Sequence, residues 1–166
     1  AEAYPEAQVY GFDISDEMLK SATRAVTRAA VSGRIRLAQG DALRFDSRRA
    51  FGQRSFDRVF LSYTLSMIPD WEGALRNAAE MLSPGGQLHV VDFGQCEGLP
   101  VTARNALFAW LRQFGVTPRS ALPGAIAGLA GSQGRASSFR AAHQGYTWFL
   151  ALDDKRAIKE KECSAR

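Results

Sequence analysis

Cysteine and long apolar runs are scarce in this sequence, and each scarcity argues against a class of protein. Cys96 and Cys163 are the only cysteines, and neither has a partner cysteine or histidine pair at metal-ligand spacing. A disulfide scaffold and a zinc site are therefore not expected, and a reducing cytoplasm is the default location. No apolar run approaches the roughly 20 residues that a membrane helix needs, and no signal peptide is visible.

Acidic residues are missing from one long stretch. Residues 101–145 contain five arginines and no aspartate or glutamate, although the net charge of the chain is only +4. A segment with one sign of charge indicates either an anionic partner or surface, or a solvated basic face. Because no recognisable nucleic-acid-binding motif with interleaved aromatic residues accompanies it, nucleic acid is not an expected partner.

The remaining composition is that of a folded α/β domain. Hydrophobic residues make up 46% and charged residues 23% of the 166 residues, which is typical of a globular chain able to bury a core. Strand-like segments alternate with amphipathic helical segments, and this alternation predicts parallel βα units. The predicted strands are residues 8–13, 35–39, 56–63 and 87–93; the predicted helices run from 15 or 16 to about 31 and from 70 to 82, with Asp70 as N-cap, and a polar loop is expected at 44–55.

The last third of the chain changes character. Residues 101–114 form a predicted amphipathic helix, whereas residues 121–138, rich in glycine, alanine and serine, are predicted to be a mobile loop or short helix. An aromatic strand at 146–152 is expected to pair antiparallel beside the 87–93 strand. We expect one domain over residues 1–153, with 101–145 as a lid or insert, and a charged tail at 154–166; residues 1–4 resemble the end of a helix.

Polar side chains follow the predicted strands. Asp13 ends the first strand, Gly40-Asp41-Ala42 follows the second, and Ser62-Tyr63 ends the third. In open α/β sheets, ligands bind at the carboxyl edge of the strands. Asp13 stands directly before the start of a helix, so it could accept the hydroxyls of a ribose or simply cap that helix. Asp92 ends the fourth strand, where it could attract a cationic amine or cap a turn.

Taken in order, these segments resemble a known family. VYGFDIS with Met18, then GDA, then FDRVFLSYTLSMIPD, then LSPGGQLHVVDF, are similar to the S-adenosylmethionine-dependent methyltransferases of class I, which have a Rossmann-like sheet. The likeness covers roughly residues 1–93. LSYTLSMIPDW, VVDFG and FAWLRQFGVTPR look most like the methyltransferases that trimethylate the amino group of a diacylglyceryl-homoserine lipid to make betaine lipids. Ubiquinone/menaquinone and phosphatidylethanolamine methyltransferases are similar by the same motifs.

The resemblance implies S-adenosylmethionine as cofactor and a role for each matching residue. Asp13 would accept both ribose hydroxyls, since an ionised carboxylate has two acceptor oxygens. Ile14 and Met18 would supply an apolar surface for the adenine. Asp41 would accept a hydrogen bond from the adenine amino group, and the backbone N–H of Ala42 would reach a ring nitrogen. For Asp41 the alternative is a turn residue after Gly40.

Further residues are implied around the methyl acceptor. Ser62 would lie beneath the methionine part of the cofactor, and Tyr63 and Ser66 would orient an amine or carboxylate of the acceptor; a packed loop is the alternative for these residues. In-line methyl transfer needs alignment rather than a metal or a nucleophilic side chain, so no metal is implied. The aromatic residues and arginines of the 101–114 helix could contact an anionic bilayer or cover an acyl substrate, which would give a peripheral position at the inner face of the membrane. The alternative is an ordinary core-packed helix over the active site, and a lid could combine the two.

The implied activity is methyl transfer to an amine of a polar lipid. The alternatives are a quinone-ring C-methyltransferase, a non-catalytic binding module and an NAD-dependent dehydrogenase; the predicted antiparallel strand argues against the last. One departure matters: the Gly-rich E/D-x-G-x-G-x-G turn that opens the family does not precede Asp13. We therefore expect an N-terminally truncated sheet with a gap between the strands ending at Asp13 and Ser62, and a chain that alone binds the cofactor poorly and is inactive.

Overall fold

The computed structural model describes residues 4–154, so the predictions for residues 1–3 and for the tail beyond 154 lie outside the described residues. The expected α/β architecture is confirmed, and the chain divides into two compact units between Arg54 and Ser55. In chain order the elements are β1 (Val9–Asp13), α1 (Asp16–Arg28), β2 (Ile35–Gln39), α2 (Ser47–Phe51), β3 (Phe56–Ser62), a 3₁₀ turn (Leu65–Met67), α3 (Trp71–Glu80), β4 (Leu82–Phe93), α4 (Val101–Arg112), α5 (Leu122–Ser132), β5 (Ala136–Ala142) and β6 (Thr147–Asp153).

The first unit is a βαβ arrangement. β1 and β2 pair in parallel, with Asp13 opposite Gln39 at the carboxyl end. Ser15 caps α1 because its side chain accepts a hydrogen bond from the backbone N–H of Met18, and Asp16 and Glu17 occupy the first turn, where the helix dipole favours acids. The helix ends a few residues earlier than predicted, since Ala30 adopts a left-handed backbone with φ of 54°.

The polar loop predicted for residues 44–55 contains α2, which corrects that prediction. Phe45 stacks on Phe12 with ring centroids 3.8 Å apart, and Phe51 lies 5.2 Å from the ring of Tyr10. These aromatic contacts fold the segment against β1, and Asp46 caps the short helix by accepting from the N–H of Arg49 at 3.0 Å. Phe45 and Phe51 therefore determine the structure of this otherwise polar segment.

The second unit is a four-stranded sheet of order β3-β4-β6-β5. β3 and β4 are parallel, and β6 runs antiparallel to β4, which confirms the expected C-terminal strand. β5 was not predicted; it forms a hairpin with β6. β4 begins at Leu82, earlier than predicted, and includes residues 83–86. These residues lie at a register shift opposite Phe56 and Arg58, where Gly85 has φ of +78°.

The core of the second unit lies on one face of this sheet. Leu88 and Val90 of β4 pair with Leu152 and Leu150 of β6, so that all four side chains point to the same face, and all are at most 3% exposed. The apolar stripe of α3 predicted from Asp70 onward is buried, as are Leu122 and Ile126 of α5. The segment predicted to be a mobile loop or short helix, residues 121–138, is thus a packed helix followed by an edge strand.

The five arginines of residues 101–145 do not form one uniform basic face. Arg119 donates to the backbone oxygens of Leu65 and Ile68, at 3.2 and 2.7 Å. Arg135 donates to the Gly86 oxygen at 2.7 Å, and Arg140 lies 4.4 Å from the ring centroid of Phe149. Only Arg104 and Arg112 belong to α4. Within the part of the chain that the structure describes, no helix has the length and hydropathy needed to cross a bilayer.

Replacing Leu88 by alanine tests the position of the core. Leu88 is fully buried in the central strand β4, so Leu88→Ala should lower the free energy of unfolding by about 2–5 kcal/mol. The matched control is Val101→Ala, which removes apolar atoms from a side chain that is 59% exposed and should change stability by less than about 1 kcal/mol. Urea titration at unchanged m-value measures both; equal losses in the two variants would contradict this core.

Candidate functional site

The carboxyl ends of β1 and β2 bring the first group of predicted site residues together. The backbone N–H of Gly40 donates to the Asp13 carbonyl at 3.0 Å, so Asp13 and Asp41 lie at the same edge of the two-stranded sheet. A Cβ at position 40 would overlap the ring of Phe45, which explains why glycine stands there. The sequence prediction that parallel strand ends gather these acids is therefore met within the first unit.

Asp13 retains capacity to accept hydrogen bonds. Its Oδ1 accepts from the N–H of Ser15 at 2.8 Å, and no hydrogen bond from the described residues reaches its Oδ2. Ile14 and Met18 follow it in sequence and are 68% and 59% exposed. Because Ser15 is the N-cap of α1, the helix-cap alternative for Asp13 is wrong, and its contact with a ribose remains a prediction.

Asp41 has a structural role in a turn. Its Oδ1 accepts from the N–H of Leu43 at 2.9 Å, and its carbonyl accepts from the N–H of Arg44 at 3.0 Å. These bonds form the turn that the sequence left as the alternative. The side chain is exposed, so the turn leaves it accessible, and the predicted contacts of Asp41 and Ala42 with an adenine remain predictions.

In the second unit, Tyr63 stands at a sharp turn directly after β3. Its backbone adopts φ of 51°, an uncommon conformation for a bulky residue, and its N–H donates to the Val91 carbonyl at 2.7 Å. The phenol oxygen lies 3.1 Å from Thr147 Oγ1. Its ring is 4.8 Å from that of Phe93, which is 5.4 Å from that of Tyr146. We call Tyr63, Phe93 and Tyr146 the aromatic cluster.

Ser62 and Ser66 differ in accessibility. Ser62 is exposed, and its carbonyl accepts from Thr64 Oγ1 at 3.0 Å. Ser66 is fully buried; its N–H donates to Asp92 Oδ2 at 3.2 Å and its carbonyl accepts from the N–H of Thr117 at 2.8 Å. This placement agrees with the packed-loop alternative for Ser66, and its predicted role in positioning an acceptor remains a prediction.

Asp92 serves the backbone in this structure. It is 1% exposed, and in addition to Ser66 it accepts from the N–H of Phe93 at 2.8 Å. Both carboxylate oxygens are thus used in holding neighbouring backbone groups, the turn role that the sequence left open. Among the described residues, buried polar atoms without a partner belong to Ser66, Gln95 and Trp148, all on segments around the end of β4.

Two further polar residues on β3 and β4 have structural contacts. His89 is half-buried and stacks on Phe60 with ring centroids 5.1 Å apart. Asp57 Oδ1 accepts from Ser83 Oγ at 2.9 Å. That contact ties the start of β3 to the start of β4.

Tyr146 and Cys96 were not recognised as candidates from the sequence. Burial raises the pKa of Tyr146, and the neighbouring Tyr63 and Cys96 raise it further. Burial also raises the pKa of the Cys96 thiol; Glu97 adds to that shift and Arg104 opposes it. The Tyr146 hydroxyl, protonated at neutral pH like that of an ordinary tyrosine, thus stays a hydrogen-bond donor further into alkali. The only sequence signal was the place of Tyr146 at the start of a predicted strand.

The chain is an α/β domain that carries polar side chains at the ends of its parallel strands. Residues 1–90 match the family described as a methyltransferase domain, and because the match covers more than half of the chain, the chain belongs to this family.

The chain is similar to a demethylmenaquinone methyltransferase of Listeria monocytogenes, with 36% identity over 91 residues that cover 55% of this chain and 36% of that protein. It is also similar to a ubiquinone/menaquinone biosynthesis C-methyltransferase of Ectopseudomonas mendocina, with 32% identity over 100 residues, 60% of this chain and 37% of that protein. The chain therefore spans little more than a third of these curated relatives.

A solved structure shares the fold at low sequence identity. A phosphoethanolamine N-methyltransferase of Haemonchus contortus, solved in complex with S-adenosyl-L-methionine, matches with a TM-score of 0.66 and 17% identity over 89% of this chain and 44% of that one. At this identity the TM-score shows a shared α/β fold and nothing further.

The raised pKa values of Cys96 and Tyr146 predict a loss of stability in alkali. Because the fold favours the protonated forms, their contribution is complete below the unfolded-state pKa values and is lost as pH rises from about 8.5. Urea titrations between neutral and alkaline pH should show a steeper decline for the wild type than for Cys96→Ser/Tyr146→Phe. Parallel curves for the wild type and this variant would contradict the prediction.

Proposed function

We propose that this chain forms the cofactor side and part of the acceptor side of an S-adenosylmethionine-dependent methyltransferase that methylates a ring carbon of a quinol-type acceptor. The observation that carries the proposal is the family match over residues 1–90, the segment that contains the exposed apolar surface beside Asp13. The proposed acceptor differs from the amine of a polar lipid expected from the sequence resemblance, and it corresponds to the alternative stated there.

The chemistry of the residues at the end of β1 fits the cofactor. Asp13 retains a free acceptor oxygen for ribose hydroxyls, and the exposed Ile14 and Met18 offer an apolar face to an adenine ring. Asp41 and Ala42 follow β2 at the same edge, and Ser62 ends β3 in the second unit. When bound, S-adenosylmethionine supplies a methyl group on an activated sulfonium. The chain then has to hold the cofactor and align its methyl group with the acceptor.

Three observations support a ring acceptor over an amine. The two curated relatives are named as a demethylmenaquinone methyltransferase and a quinone-biosynthesis C-methyltransferase. The aromatic cluster of the second unit offers ring faces and edges against which a planar ring can pack. Asp92, the acid that could have attracted a cationic amine, is buried and already accepts two backbone N–H groups.

Within this proposal the cluster residues have distinct roles. The half-exposed ring of Tyr63 provides a packing surface, and its hydroxyl is fixed by Thr147. The Tyr146 hydroxyl is protonated at neutral pH, as tyrosines ordinarily are, and its raised pKa keeps it so further into alkali, so it can donate to a ring oxygen of the acceptor. Such a donor fixes the orientation of the ring, and hence which ring carbon faces the methyl group.

Label transfer tests the acceptor. The full-length protein is incubated with S-adenosylmethionine labelled in its methyl group and, in separate mixed-micelle reactions, with a demethylated menaquinol or a diacylglyceryl-homoserine lipid. We expect label in the quinone and none in the amino lipid. Label in the amino lipid alone would reject the ring acceptor, and label in neither, together with no detectable cofactor binding, would reject the methyltransferase itself.

Asp13→Asn tests the cofactor site. An amide at this position keeps the shape but loses the charge-assisted bonds to ribose, so we expect the dissociation constant for S-adenosylmethionine to rise by about ten- to a hundredfold. Asp16→Asn is the matched control, since Asp16 is an acid three residues away in the first turn of α1. Calorimetry on the full-length variants measures both; equal affinities for Asp13→Asn and the wild type would refute the assignment.

A further inference from the structure

Helix α4 carries apolar side chains that the fold leaves in water. Of its twelve residues only Leu111 is buried. Trp110 is 53% exposed and Phe114, just beyond the helix end, is 58% exposed. Their rings meet edge to face with centroids 4.9 Å apart. Because residues four apart lie on one face of a helix, the two rings form a continuous apolar surface.

Small residues leave this surface unobstructed. Ala103 and Ala106 precede Trp110 at helical spacing and are themselves exposed. Two other exposed aromatic side chains lie on strands and have ring partners there: Phe60 is stacked on His89, and Phe139 contacts Trp148. Trp110 and Phe114 instead pair with each other at the end of a helix, and about half of each side chain is exposed.

The charge around this surface has one sign. Arg112 is exposed, and no ion pair to it occurs among residues 4–154. No aspartate or glutamate occurs from Gly98 to Leu152. The nearest acid before the helix, Glu97, has its carboxylate against Gly145. Arg104, the other arginine of α4, is only partly exposed, so Arg112 is the more accessible cation of the helix.

We propose that α4 docks on an anionic lipid bilayer, with Trp110 and Phe114 inserted at the headgroup boundary and Arg112 bound to lipid phosphate. A tryptophan has an apolar body and one polar N–H, a composition suited to the interface between acyl chains and water. Basic residues next to such an aromatic pair add attraction to anionic headgroups. The occupant inferred is a lipid surface because the positive charge has no acidic counterpart on the helix.

This inference goes beyond the proposed function and does not require it. Docking places the second unit at a membrane whatever its acceptor is, and it can be measured without cofactor. A protein partner or a second copy of the chain would cover the same rings, so the experiment must separate these occupants from lipid.

Vesicle binding and fluorescence test the proposal directly. Of the three tryptophans, Trp71 and Trp148 are at most 9% exposed, so a blue shift on binding reports Trp110. The 166-residue chain is mixed with vesicles of phosphatidylcholine alone or of equal parts phosphatidylcholine and phosphatidylglycerol. We expect co-sedimentation and a blue shift with the anionic vesicles, weakened by added salt, and little of either with the neutral ones.

Matched variants distinguish α4 from the rest of the surface. Trp110→Ser/Phe114→Ser should weaken binding to anionic vesicles by at least about tenfold, and Arg112→Gln by about fivefold. Phe139→Ser, which removes an aromatic side chain that is 51% exposed on β5, and Arg24→Gln, on exposed α1, should bind as the wild type does. Circular dichroism checks that every variant is folded.

Specific outcomes would overturn the proposal. If Trp110→Ser/Phe114→Ser binds anionic vesicles with wild-type affinity, the lipid-binding surface lies elsewhere in the chain, for example at the lysines and arginines after Asp154. Equal binding to neutral and anionic vesicles would remove the role of Arg112. Absence of vesicle binding, together with dimerisation in light scattering that depends on Trp110 and Phe114, would identify a second copy as the occupant.

Discussion

The backbone of residues 65–68 is held from three directions, and the second unit depends on these bonds. Asp92 of β4 accepts the N–H of Ser66, Thr117 donates to the Ser66 carbonyl, and Arg119 donates to the carbonyls of Leu65 and Ile68. Buried backbone groups need such partners. Here the carboxylate of Asp92 supplies an acceptor, and the guanidinium of Arg119 supplies donors. The turn they fix follows Tyr63 directly, so the same bonds determine where the aromatic cluster meets the ends of β3 and β4.

Elements with local signals could be predicted from the sequence, and those that depend on distant contacts could not. Asp70 caps α3 as expected, because a cap acts within a few residues of the chain. α2 needs the packing of Phe45 on Phe12, which no local pattern reveals. β5 is almost entirely exposed and has no apolar alternation, so its pairing with β6 defines it.

The candidate site divides in the same way. Parallel pairing of β1 and β2 places Asp13 and Asp41 at one edge of the sheet. The alternation of strands and helices in the sequence already predicted this pairing. The roles of Arg119 and Arg135 were hidden, since their partners are backbone carbonyls that carry no residue-type signature. Charge counting therefore overstated the free basic surface of residues 101–145, because a guanidinium that binds carbonyls contributes to packing rather than to an outside partner.

Helix α4 is attached to the rest of its unit by few buried side chains, with Leu111 the only fully covered one. Substitutions on such an element cost little folding free energy, since most of the side chains concerned are already in water. Over evolutionary time this helix can therefore exchange residues faster than β4 or β6, whose side chains fill the core. A lineage could change the surface or substrate to which the enzyme is recruited while inheriting the strand ends and the cofactor chemistry intact.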